Sequence, residues 1–215
     1  MAAFTFGALD FVSTQRYSTV RTMKEPPPGS AKIACLGYAL MGLLQGKPSS
    51  GYDLRKTFAS TSMRSYSGSP GAIYPALRRL EQQSLIRGTI EQSSGLRRRQ
   101  RFRLTPKGVV ALKTWIAPPV TREDLVRGQA EIMLRFAFSE QVAGATGSLE
   151  LLRSFEAALK PYLAGLREEL QASQAAMSGS GRRAFECGVR QTECLLEWVQ
   201  SAITAYTKER GGGSL

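Results

Sequence analysis

The sequence predicts a mainly α-helical protein with one small two-stranded β-hairpin, built as a compact N-terminal helical domain followed by a C-terminal α-helical domain. Three observations predict it. Apolar residues recur at helical spacing from Ile33 onward, two short alternating stretches flank a glycine-containing turn, and the last segment carries apolar or small residues at alternating spacings of four and three.

The first element begins near Ile33, where Ile33, Leu36, Leu40, Leu43 and Leu44 fall on one helical face; Gly46-Lys47-Pro48 ends it. Ser50-Gly51-Tyr52-Asp53 then offers a hydroxyl cap with an acid three residues on, opening a second helix through Leu54 and Phe58. A polar connector from Thr61 to Gly68 leads to Ser69, a cap residue followed by Pro70 at the first helical position, where a missing N–H costs least. This third helix runs to about Ser84. At about 100° per residue its Ile73, Ala76, Leu77 and Leu80 form one inward stripe, leaving Gly71, Pro75, Arg78 and Gln82 outward with Tyr74 and Arg79 on the flanks.

Leu85 to Gln92 and Gln100 to Thr105 read as two strands joined across Ser93-Ser94-Gly95 and a run of arginines. Because strand side chains alternate, Phe102 and Leu104 face the core while Arg99, Arg101 and Arg103 project from the other side. Thr105-Pro106 starts a further helix carrying Val109, Leu112 and Trp115. The order helix, helix, helix, strand, strand, helix is that of a winged helix-turn-helix domain, assigned to residues 31–117.

Residues 1–30, ending in Glu25-Pro26-Pro27-Pro28-Gly29-Ser30, form a flexible extension with no assigned fold, and Met23 is an alternative start. An α-helical dimerisation domain is assigned to 118–209 and a disordered tail to 210–215. Its helices are expected near Arg122 to Phe138, from Ser148 to Ala175 with a kink or break at Pro161, and from about Arg182 to Lys208. The last of these repeats Phe185, Val189, Thr192, Leu196, Val199, Ile203 and Tyr206, a heptad seam that needs a partner helix from this chain or from a second one.

Charge points to the partner of the first half. Residues 1–117 hold 18 Lys and Arg against 5 Asp and Glu, whereas 118–215 hold 11 against 12. So one-sided a positive field suits a polyanion, since phosphate contacts release counterions and supply most non-specific affinity. The run Arg97-Arg98-Arg99-Gln100-Arg101-Phe102-Arg103 places five guanidiniums at the hairpin tip and its returning strand. Like charges so dense repel one another unless neutralised, and guanidinium suits bidentate phosphate contact or insertion into a narrow minor groove.

Other chemistries find no support. The chain has no histidine, which removes Ser-His, Cys-His and His-metal sites, and no glycine-rich phosphate loop of recognised spacing is present. Glu168 and Glu169 are adjacent and diverge on a helix. No catalytic residue, metal site or cofactor is expected. Cys35, Cys187 and Cys194 lack CxxC spacing, and the last two stand about 10 Å apart along a helix, too far for an internal bridge. No transmembrane run or secretory signal is read, so the expected compartment is the cytoplasm.

The stretches Leu36-Gly37-Tyr38-Ala39-Leu40-Met41-Gly42-Leu43-Leu44, Ser50-Gly51-Tyr52-Asp53-Leu54, Ser69-Pro70-Gly71-Ala72-Ile73-Tyr74-Pro75-Ala76-Leu77-Arg78-Arg79-Leu80-Glu81 and Leu104-Thr105-Pro106-Lys107-Gly108 resemble the PadR family of transcription regulators, in its long C-terminal-domain form. The resemblance covers residues 33–116, and its most specific part is the third-helix segment. It implies a dimeric, usually repressing regulator released from DNA by a small molecule or another signal. One departure is Ser50, where the family commonly has histidine. From residues and resemblance together, the expected DNA contacts are Ser69, Gly71, Tyr74, Arg78, Arg79, Arg97, Arg98, Arg99 and Arg101, on a near-palindromic duplex operator. Phe185, Val189, Leu196, Val199 and Ile203 are the expected homodimer contacts. Trp115, Phe136, Phe138 and Trp198 are candidate lining for an effector cavity, their plainer role being core packing. The competing reading is a winged-helix module that grips RNA or a protein partner.

Overall fold

The computed structural model describes residues 33–61, 70–91 and 99–211, and these described residues form one compact unit. Seven helices and three strands follow in order among the described residues: α1 Cys35–Gly46, β1 Ser49–Ser50, α2 Gly51–Ser60, α3 Ile73–Gln82, β2 Ile86–Glu91, β3 Arg99–Leu104, α4 Pro106–Ile116, α5 Arg122–Arg127, α6 Gln129–Ser173 and α7 Gly179–Gly211. The strands form an antiparallel sheet in the order β1-β3-β2, with Ile86 opposite Leu104 and Ser50 opposite Arg101. Beyond the hairpin, β1 adds a strand of two residues, too short for any alternation to mark it.

Local chemistry sets the boundaries. Ser50 caps α2 through a reciprocal box: its Oγ accepts from the Asp53 N–H at 3.2 Å, and the Asp53 carboxylate accepts from the Ser50 N–H at 3.3 Å. Thr105 caps α4 by a single bond, accepting from the Gly108 N–H at 3.1 Å with Pro106 at the first helical position. Gly108 is required for packing, since a Cβ there would lie 2.0 Å from the Leu85 carbonyl oxygen. The third helix begins differently from the expectation. Pro70–Ala72 form a 3₁₀ turn and Ala72, with no side-chain cap, precedes α3, so Pro70 is not its first α-helical residue; Ser69 lies outside the described residues.

The expected helix from Arg122 to Phe138 is two helices. Gly128, at φ +131°, ends α5, and α6 starts at Gln129. Helix α6 is two helical segments joined at a kink at Gly144, at φ +70°, which falls in the expected gap between Phe138 and Ser148, whereas the kink or break expected at Pro161 is absent. Glycine alone reaches such φ values without steric cost. Across that break the buried hydroxyls of Ser139 and Ser148 meet at 2.6 Å. Pro161 is exposed, as is Ala157 one turn earlier, so the carbonyl that loses its N–H partner faces water and the helix continues.

A continuous core joins these elements. Leu40, Met41 and Leu44 of α1 meet Leu54 and Phe58 of α2 and Ile73, Leu77 and Leu80 of α3, and the same cluster extends through Leu112 and Ile116 to Phe155 and Leu159 of α6 and Val199 of α7. Helix α7 runs back along α6. Arg167 pairs with Glu193 at 2.6 Å, Gln200 donates to Glu156 at 3.0 Å, and the Tyr206 hydroxyl donates to Glu140 at 2.8 Å, a ladder that descends α6 as it climbs α7.

Where α4 gives way to α5, Arg135 of α6 is buried. Its Nη2 donates to the carbonyls of Ala117 at 2.6 Å, Ile116 at 3.4 Å and Pro119 at 3.5 Å, and Nη1 stands 3.8 Å from the Asp124 carboxylate. Burial pulls its pKa down, while Asp124 and Glu131 act the other way.

Candidate nucleic-acid interface

Helix α3 presents two chemically distinct sides. Ile73, Leu77 and Leu80 are buried and Ala76 partly so, whereas Gly71, Tyr74, Pro75, Arg78, Arg79 and Gln82 are exposed. A helix whose outward side carries arginine, tyrosine and glutamine beside small residues can approach a groove closely while offering hydrogen-bond donors. Tyr74 is held against the start of α2: a Cβ on Gly51 would lie 2.7 Å from Tyr74 Cε1. The start of α2 also carries Tyr52, 58% exposed, with the Arg55 guanidinium 5.5 Å from its ring centroid. These two residues were absent from the expected set; their exposed positions on α2, one turn from the cap, were the available signal.

The hairpin adds a second cationic surface. Phe102 is buried and Leu104 half-buried, while Arg101 and Arg103 are exposed on the opposite face. Arg101 Nε pairs with Glu91 at 3.0 Å across the strands. Both groups are exposed, so the pair is weakly held and the guanidinium can exchange partners. Arg99 opens β3 opposite Glu91; Arg97 and Arg98 lie outside the described residues. Thus α3 and the outer face of β3 contribute Tyr74, Arg78, Arg79 and Arg101 to one winged fold.

The expected dimer residues fall on the α6-facing side of α7. Val189 and Val199 are buried within the single chain, Val199 completely, and Phe185, Leu196 and Ile203 are half-buried. The heptad seam therefore finds its first partner in α6 of its own chain. The four aromatic residues do not form one group. Phe136 meets Trp198 edge to face at 5.5 Å and Tyr206 at 6.2 Å, Trp115 stacks on Tyr38 of α1, and Phe138 is buried where Gly42 of α1 leaves room for its ring. Among the described residues no group of acids and cysteines could hold a metal ion, and no helix is long and apolar enough to cross a membrane.

Residues 40–114 match the family described as Transcriptional regulator PadR-like family. The chain is 23% identical over 187 residues to "Probable transcriptional regulator Rv1176c" of Mycobacterium tuberculosis, covering 81% of this chain and 99% of that one. Among solved structures it is similar to Bacillus subtilis PadR in complex with operator DNA, at 20% identity and a TM-score of 0.37 over 82% of this chain and 99% of the other. It is also similar to the same protein in complex with p-coumaric acid, at 21% identity and a TM-score of 0.33 over 80% and 99%. A PadR-like regulator from Bacillus cereus, BC1756, shares 22% identity with a TM-score of 0.37 over 83% and 99%. The family match falls on the helices and hairpin that display the cationic surface, so over residues 40–114 the chain is similar to the PadR-like family of transcriptional regulators.

Proposed function

We propose that the chain represses transcription as a homodimer bound to a near-palindromic duplex operator, and that a small molecule or another signal releases it. The observation that carries this reading is the exposed side of α3, where Tyr74, Arg78 and Arg79 stand clear of a stripe of buried Ile73, Leu77 and Leu80. Charge supports it, because the excess of cations is confined to residues 1–117. In this reading residues 31–117 bind DNA, with Ser69, Gly71 and the arginines 97, 98, 99 and 101 completing the contact set. Residues 118–209 form the dimer, and the protein works in the cytoplasm.

A two-fold dimer sets two recognition helices on one side of the duplex, with half-sites about one helical turn or a multiple apart. With Val189 and Val199 covered by α6, the half-buried Phe185, Leu196 and Ile203 are the members of the seam left to meet a second subunit. For the effector, Phe136 and Trp198 are the aromatic pair in contact, and the crystallised PadR complex with p-coumaric acid makes small aromatic acids the first compounds to screen. A regulator needs two states that a ligand binds unequally.

The deciding experiment is a salt-dependent gel shift on duplex DNA from the promoter region of the chain's own gene, beside RNA of matched sequence. Binding confined to the DNA is expected. Equal or tighter binding to the RNA overturns the reading in favour of an RNA-binding winged helix.

A further inference from the structure

On the flank of α2 remote from Tyr74, an open hollow of about 380 Å³ lies between this helix and strand β1, lined by Lys47, Lys56 and Arg101 together with Ser49, Asp53 and Thr57. Three cations thus line the hollow with one carboxylate, and Arg101 is also paired with Glu91 at 3.0 Å. The Asp53 carboxylate is already engaged, accepting from both the N–H and the Oγ of Ser50, the latter at 2.7 Å. The two lysines are exposed, and among the described residues neither has an ion-pair partner. Ser49 and Thr57 bring hydroxyls to the same place; each donates to a backbone carbonyl and keeps its own oxygen lone pairs.

Three features tie the hollow to the α3 surface. Ser50 stands opposite Arg101 in the sheet, Gly51 follows Ser50 at the start of α2, and Gly51 is the residue against which Tyr74 rests. The cationic hollow and the outward side of α3 therefore flank the same helix start. A duplex entered by α3 brings a phosphate strand past that start, and compact ammonium groups on flexible stems suit phosphate as point charges.

We infer that this hollow is a second seat for the DNA backbone, in which Lys47 and Lys56, joined by Arg101 of the wing, hold phosphate beyond the reach of α3. The inference rests on the DNA-binding reading and extends it to a face of the domain that the recognition helix does not supply. Such contacts fix register and add affinity without reading bases.

The test uses the full chain and several short mixed-sequence DNA duplexes of unrelated sequence, with binding followed by fluorescence anisotropy across a salt series. The double variant Lys47→Ala, Lys56→Ala is expected to bind every duplex roughly 10-fold more weakly near physiological salt. Its slope of log affinity against log salt is expected to be shallower by about two, with about one for each single variant. Lys47→Arg with Lys56→Arg, which keeps both charges, is expected to restore both quantities. An unchanged slope in the alanine double variant, in a chain where the wing or Arg78 variants still weaken binding, overturns this seat and leaves the DNA-binding reading standing. A loss confined to one duplex sequence also overturns it, since a phosphate seat cannot distinguish sequences. Absence of any duplex binding by the unaltered chain overturns the seat and the DNA-binding reading together.

Discussion

Trp115 and Tyr38 lie face to face, their ring centroids 4.4 Å apart and their planes 3° from parallel, and this stack joins α4 to α1. The same indole donates through Nε1 to Glu131 of α6 at 2.9 Å, so one side chain ties three helices. Trp115→Phe keeps a ring on Tyr38 and loses the donor; Glu131 can turn to water, so the expected cost is about 1 kcal/mol. Trp115→Ala removes the stack as well and is expected to cost about 2 kcal/mol or more. Urea unfolding with an unchanged m-value checks the order, and a phenylalanine variant less stable than the alanine variant would contradict it.

Changing Arg97, Arg98 and Arg99 together to alanine is expected to weaken duplex binding across all sequences. Each lost phosphate contact should reduce the salt slope by about one. Titrations at several ionic strengths measure this, and equal affinity and slope in the variant would remove the hairpin tip from the interface.

Arg78 should behave differently. It stands exposed near the middle of α3, where a base edge is within reach of a helix laid in a major groove. Arg78→Ala is expected to reduce discrimination between operator and altered operators by roughly 1–3 kcal/mol. Competition assays with single-base operator variants read it; a uniform loss would make Arg78 a backbone contact.

The buried state of Val199 separates two roles for α7. Val199→Asp places an unpaired carboxylate in a site with no exposure, and the expected result is loss of the chain's own fold, by several kcal/mol. Leu196→Asp acts on a half-buried position and is expected to weaken self-association before it melts the fold. Sedimentation and thermal melts on both variants check this. An unaltered chain that sediments as a monomer at micromolar concentration yet binds operator fully would assign the whole seam to internal packing.

Burial first, and the Glu131 carboxylate second, push the Cys35 thiol up to about 11 from an ordinary value of 9.0. Because the folded state favours the protonated thiol, its contribution to stability is intact below the ordinary thiol range and is lost as pH rises toward 11. Tyr38, raised by the same two causes, acts in the same direction at higher pH. The melting temperature is therefore expected to fall between pH 9 and 11, less steeply in Cys35→Ala. At mildly alkaline pH, iodoacetamide should modify the exposed Cys187 and Cys194 well before Cys35. Equal labelling rates would contradict the burial of Cys35.

What could be read from sequence was local. Ser50 with Asp53, and Thr105 with the Gly108 N–H beyond Pro106, announce helix starts because the groups that satisfy one another lie within one turn. The stripe on α3 was legible for the same reason, since burial of Ile73, Leu77 and Leu80 follows from spacing alone. The seam on α7 was equally visible as a pattern, but a pattern does not say which helix covers it; α6 does, through contacts more than 25 residues away in sequence, such as Arg167 with Glu193. The interruption between Phe138 and Ser148 was legible and is the kink at Gly144, but the continuity of the helix through Pro161 was not, because it depends on solvent at Ala157. Lys47 and Lys56 stand apart from the arginine run in sequence, and only folding sets them beside Arg101.

The guanidinium of Arg135 gives the joint after α4 a mechanical character. It holds the carbonyls of Ile116, Ala117 and Pro119 from within α6, and one of its own nitrogens, Nε, is buried with no acceptor among the described residues. Pulling the joint open would strip the remaining acceptors from a charge that cannot shed its proton, which is costly in a dry setting. The joint is therefore stiff where a chain containing Pro118 and Pro119 between two helices looks slack. Contacts run unbroken from Arg135 of α6 to the end of α4, and from Gly108 of α4 to the Leu85 carbonyl at the root of the hairpin.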